Sequence, residues 1–123
     1  CRDCVGYCCD RAKHHTTLVN LLAYWSAGER PPAPDFSLPC PFLAPDGCRH
    51  AVGRRPFNCV TFLCERLDER LDAAGRERFY AQEKELRRLY LAFEERFAGA
   101  SLRGILIRAE RLGARALLSS PAT

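Results

Sequence analysis

In "HHTTLVNLLAYWSAGE" the apolar residues Leu18, Leu21, Leu22 and Trp25 recur at i, i+3, i+4 and i+7, the spacing of one helix face. Thr16 or Thr17 can cap that helix through a side-chain oxygen, and Gly28 can end it. The periodicity then disappears. "ERPPAPDFSLPCPFLAPDGC" holds six of the chain's eight prolines, which removes backbone donors and forbids a regular helix. Within it "PDG" is turn chemistry, so Cys40 and Cys48 are expected to face each other across a short hairpin. Pro56 suits the first turn of a helix predicted to run through Cys59 and Cys64. Further on, Phe79, Leu86, Tyr90, Phe93 and Phe97 follow at spacings of seven, four, three and four, one stripe of an amphipathic helix. "AGAS" interrupts it, and Leu102, Ile105, Leu106, Ala109, Leu112 and Ala116 trace the stripe of another. The two predict a helical hairpin whose stripes pack as core, or offer a face to a partner helix or an absent domain. Charges such as Glu83 and Arg87 fill the solvated side.

The expected fold is mainly α: a small, cysteine-rich, loop-rich metal-binding core over residues 1–64, then an amphipathic helical tail over 65–123. A length of 123 residues suits a single domain. No apolar run is long enough for a membrane span and no signal-peptide pattern is present, so the reading is a cytoplasmic protein with no membrane partner. The sequence has no Met, which points to a processed chain or an excised fragment and leaves open a partner domain upstream or downstream. The formal charge of +4 hints at an anionic partner, but eight thiolates holding two divalent ions would cancel it. No basic and aromatic interleaving is present either, so no nucleic-acid partner is expected.

All eight cysteines lie in the first half. "CRDCVGYCC" gives C-x2-C-x3-C-C with Cys1, Cys4, Cys8 and Cys9, and Cys40, Cys48, Cys59 and Cys64 follow after a long gap. Disulfides would need an oxidising compartment, and a redox C-x2-C would sit in a βαβ pattern that is absent here. Metal thiolate binding is the leading reading, because C-x2-C lets two sulfurs reach one ion from a tight turn. Adjacent Cys8 and Cys9 project in different directions in any regular structure. Cys59 and Cys64 would stand about 140° apart on an ideal helix, so the helix ends before Cys64 or the two face different metals. Both features favour neighbouring metals or a multinuclear cluster with all eight cysteines as ligands. Thiolate spacing does not separate zinc from iron–sulfur.

Other residues add less. His14 and His15 can serve as imidazole ligands or sit at the front of the first helix. Arg54 and Arg55 can neutralise a thiolate cluster or occupy a solvated turn. Tyr24 and Trp25 read as aromatic core before they read as a substrate pocket, and a lipidated Cys1 is a minor alternative. No Ser-His-Asp set, paired carboxylates, phosphate-binding glycine loop or S-adenosylmethionine fold can be read, so enzymatic activity stays an open question.

The order C-x2-C-x3-C-C, "CPFL…DGC", "RPFNC" and a closing Cys64 resembles the YkgJ-type cysteine-cluster family, described as chelating zinc or iron. The match covers residues 1–64 and places all eight cysteines on motif positions. Val60 stands where the family often has Arg, and His50 and Ala51 where an Ile-Tyr pair is common. The resemblance implies a metal or iron–sulfur site, with iron–sulfur favoured over zinc, in a redox or cofactor-bearing module. Its alternatives are a structural zinc-binding interaction module and, by likeness to flagellin lysine N-methylases, an accessory part of a protein lysine methylase. Two expectations follow for the molecule. The two cysteine groups should converge in space, and metal removal should unfold the first half preferentially.

Overall fold

The computed structural model describes residues 15–113. The chain runs α1 (Leu18–Ser26), a hairpin of β1 (Leu43–Ala44) and β2 (Gly47–Cys48), a 3-10 turn (Val52–Arg54), α2 (Phe57–Thr61), α3 (Glu65–Asp68), α4 (Ala73–Arg96) and α5 (Leu106–Arg111). It is mainly α, as the periodicity predicts. No described helix is long and apolar enough to cross a membrane.

Thr17 occupies the N-cap of α1, and the Asn20 side-chain oxygen accepts from the Thr17 backbone N–H at 2.8 Å and its hydroxyl at 3.0 Å. Gly28, at φ 69°, ends the helix in the left-handed region that a glycine adopts without penalty. The buried face, however, is rotated from the predicted one. Thr17, Asn20, Leu21 and Tyr24 are buried, whereas Leu18 and Leu22 are exposed and Trp25 is 60% exposed. The reason is polar: Asn20 Nδ2 donates to the Tyr90 hydroxyl at 2.9 Å, and the Tyr24 hydroxyl meets His50 at 2.5 Å. Partnered polar groups can be buried, and here they set the rotation of the helix.

The hairpin is shorter than expected and its register differs. Leu43 pairs with Cys48 and Ala44 with Gly47, antiparallel around Pro45 and Asp46. Cys40 lies upstream of the ladder, its carbonyl accepting from the Leu43 N–H at 3.1 Å. The helix begun at Pro56 ends at Thr61, because Phe62 and Cys64 both adopt extended backbone. Cys64 instead heads α3, its carbonyl accepting from the N–H groups of Leu67 and Asp68 at 2.9 Å each. Cys59 and Cys64 therefore belong to different elements.

Asp72 caps α4, accepting from the Gly75 N–H at 2.6 Å. This helix spans 24 residues, yet none of them is buried. It leans on α2, where the Phe57 and Tyr90 rings lie 5.2 Å apart and the Arg87 guanidinium sits 5.2 Å from the Phe57 ring centre. Arg87 also pairs with Glu83, which lies half-buried beside Val60 and Thr61 of α2 rather than on the solvated side that the sequence predicts. The tail helices do not close simply on each other as the expected hairpin would. The Glu94 carboxylate gathers the N–H groups of Gly99 at 2.5 Å, Ser101 at 2.9 Å and Leu102 at 3.0 Å. The chain leaving this turn runs to the start of α1, where Ala100 O accepts from the Val19 N–H and the Ile105 N–H donates to Thr16 O, both at 2.9 Å. Leu106, at 0% exposure, is thereby delivered into the cysteine-rich half, where it packs with Cys40 and Phe42 and with the half-buried Phe36 and Leu43. Of the predicted α5 stripe, Leu106 and Ala109 are buried whereas Leu102 and Leu112 are exposed, and Ala116 lies outside the described residues.

The Ser101 and Gly99 N–H groups, with Leu102 and the Ser101 hydroxyl, hold the Glu94 pKa down to about 2 from an ordinary 4.5. Because the folded value is depressed, the stabilisation is whole above about pH 4.5 and is lost as pH falls through about 2. In an NMR pH titration the amide shifts of Gly99, Ser101 and Leu102 should follow one midpoint near 2. A midpoint near 4.5 would mean that the carboxylate is not held.

Candidate metal centre

The described residues include four of the eight cysteines. Cys40 is buried beside Phe42 and Leu106, Cys48 is half-buried on β2, Cys59 is exposed on α2, and Cys64 is half-buried at the head of α3. All four stand as thiols, with no disulfide among the described residues. Cys1, Cys4, Cys8, Cys9 and His14 lie outside the described residues. Among the described residues, no three or more His, Cys, Asp or Glu side chains gather at metal-binding spacing. The second cysteine group does not by itself form a centre.

The expected convergence of the two cysteine groups involves Cys1, Cys4, Cys8 and Cys9 and so lies outside the described residues. His15 Nδ1 lies 3.2 Å from Asn58 Nδ2, one residue before Cys59. Asn58 occupies one position of the "RPFNC" element, and its contact gives His15 an anchoring role at the front of α1.

His50 has a larger place than the sequence assigns to it. It is 5% exposed, its Nδ1 meets the Tyr24 hydroxyl at 2.5 Å, and its ring lies 4.2 Å from that of Phe42, centre to centre. Nε2 is buried and has no hydrogen-bond partner among the described residues. Burial, reinforced by the Arg55 guanidinium, pushes the imidazole down to about 4, so the ring is neutral near pH 7. Burial also raises the Tyr24 hydroxyl, and negative charge on Cys48 raises it further, which puts that thiol within electrostatic reach of the Tyr24–His50 pair. The legible trace in the sequence is Cys48-x-His50, two donor residues with one residue between them.

The neighbouring arginines are largely committed elsewhere. Arg54 makes a two-pronged ion pair with Glu29 at 3.2 and 3.3 Å, and Arg55 Nε donates to the His50 carbonyl at 3.4 Å. Tyr24 is core, as expected, and Trp25 is surface. On α4, burial raises the Tyr90 hydroxyl while the Asn20 hydrogen bond opposes it, and Cys59 adds a smaller upward push.

No family model matches the chain, and neither a curated protein nor a solved structure matches it. Sulfur and neutral imidazole are ligands for zinc and iron, but among the described residues no three such side chains gather.

Proposed function

We propose that this chain is a cysteine-cluster metal-binding protein carrying an iron–sulfur cluster or zinc at a multinuclear site, as a redox or cofactor-bearing module. The supporting observation is that no disulfide joins any two of Cys40, Cys48, Cys59 and Cys64. Cys40, Cys48, Cys59 and Cys64 supply the second group of sulfurs from four separate places along 40–64. When bound, an iron–sulfur cluster would supply one-electron transfer and zinc would supply rigidity. The chain's own residues would hold thiolates, place His50 against Tyr24, and bury Cys40 under Leu106. The likeness to YkgJ-type proteins belongs to this same reading and rests on the cysteine pattern.

A structural zinc module, binding a protein partner, is the second reading. The small apolar cluster around Cys40, Phe42 and Leu106 favours it, since a core of that size gains from a metal staple. Anaerobic purification with iron, acid-labile sulfide and zinc assays decides between them. Iron and sulfide in similar amounts, with visible absorption, is the expected result. Two zinc ions per chain would select the structural reading, and a single zinc with four cysteines open to alkylation would overturn the multinuclear site.

A further inference from the structure

The segment that leaves α4 is fixed at its start by one side chain. The Glu94 carboxylate accepts from the N–H groups of Gly99, Ser101 and Leu102, and the Ser101 hydroxyl lies 3.0 Å from it and 2.7 Å from Tyr90 O. Further along, α5 is six residues long, too short to persist in water by itself. Backbone bonds fasten the segment to the start of α1, from the Val19 N–H to Ala100 O and from the Ile105 N–H to Thr16 O, and Leu106 and Ala109 bury its apolar side. This closed position carries a cost. Among the described residues, the buried side-chain polar atoms without a partner are the Thr16 hydroxyl and His50 Nε2. Thr16 is the residue whose carbonyl holds Ile105, and the His50 ring packs 4.2 Å from that of Phe42, which packs in turn with Leu106. Both orphaned atoms therefore belong to the seat of the segment. A buried polar atom without a partner disfavours the state that buries it, so a state in which water reaches these two gains what the closed one lacks.

We propose that residues 99–109 form a strap that opens as a unit about Gly99 and uncovers Cys40, with the Glu94 carboxylate as the latch that holds it shut. The inference goes beyond the metal-binding reading and does not need it, because it gives a gate to a buried thiol whatever that thiol binds. Gly99, at φ 83°, is a hinge that can rotate without disturbing α4. Leu106 is fully buried against Cys40 and Phe42, so the open form exposes the thiol and the ring together. A carboxylate suits the latch, since hydrogen bonds to an ionised acceptor are roughly twice as strong as those between neutral groups. Its N–H partners all lie within one turn, so they are released together.

The test is amide hydrogen exchange and cysteine alkylation on the full chain, wild type against Glu94→Gln and Gly99→Ala. Glu94→Gln removes the charge and keeps the shape. A Cβ added at Gly99 meets no atom within 4 Å, so Gly99→Ala acts only by straining a left-handed backbone position. In both variants the Val19, Ile105 and Ala109 amides should exchange faster by one common factor, about tenfold for Glu94→Gln. Cys40 should be alkylated faster by that same factor. The Arg49 amide of the hairpin, the amides of α4 and the exposed Cys59 thiol should keep their wild-type rates. Acceleration of all these groups together would show that Glu94 supports the whole fold and would overturn the gate. Unchanged rates at Val19, Ile105 and Ala109 overturn it as well, and so do faster amides with an unchanged Cys40. Should neither variant fold, the wild type decides: the Ile105 amide and the Cys40 thiol must report one opening constant, and two different constants overturn the proposal.

Discussion

Leu106→Ala should lower stability by about 2–5 kcal/mol, the range for removing a large buried aliphatic side chain when the surroundings relax only partly. The effect is large here because the cluster is small. Leu106 is fully buried against Cys40 and Phe42, and the neighbouring Phe36 and Leu43 are only half-buried. A domain of ordinary stability has about 5–15 kcal/mol in total, so such a loss consumes much of it. Urea unfolding followed by circular dichroism measures the change. The Cys40 thiol should also react faster with an alkylating agent, because its apolar cover comes from α5. A loss under about 1 kcal/mol with unchanged Cys40 reactivity would show that α5 does not close this core.

On the metal-binding reading proposed above, metal removal should have the largest effect of all. Structural zinc in small domains contributes apparent free energies of about 10–16 kcal/mol, more than a core of this size can supply. After chelation, hydrogen exchange should show residues 40–50 losing protection together with residues 100–109, since Leu106 and Ala109 are buried in that half while Ala100 and Ile105 bond to Val19 and Thr16. The α4 helix should retain more of its helical signal, because its stability depends on its own capping, ion pairs and α2 rather than on buried residues. Uniform loss along the chain would count against this division. So would loss in 40–50 with α5 unchanged.

The body of α4 was legible because its stripe from Phe79 to Phe97 repeats over many turns, although the helix itself starts earlier, at Ala73. The start of α1 was legible from Thr17, the hairpin turn from Pro45 to Gly47, and the α2 start from Pro56. The rotation of α1 was not. Apolar periodicity assigns Trp25 to the interior, whereas Asn20 and Tyr24 occupy it through partners about seventy and twenty-six residues away. No local pattern can report a partner at that separation. The destination of α5 was hidden for the same reason: six residues with a stripe fit α4 and the cysteine half equally well, and the Glu94 turn makes the choice. At the candidate centre, the cysteine spacing was plain, while His50 was one histidine of three until its burial and its orphaned nitrogen were visible.

The bonds from Thr16 to Ile105 and from Val19 to Ala100 also order events in time. A chain made from its N-terminus at about 5–20 residues per second exposes Cys40 for several seconds before Leu106 exists to cover it. During synthesis the second cysteine group is therefore solvent-accessible and reactive, open both to a metal donor and to an oxidant. The closing strap arrives last. The window for loading the site, and the window for damaging it, are the same interval.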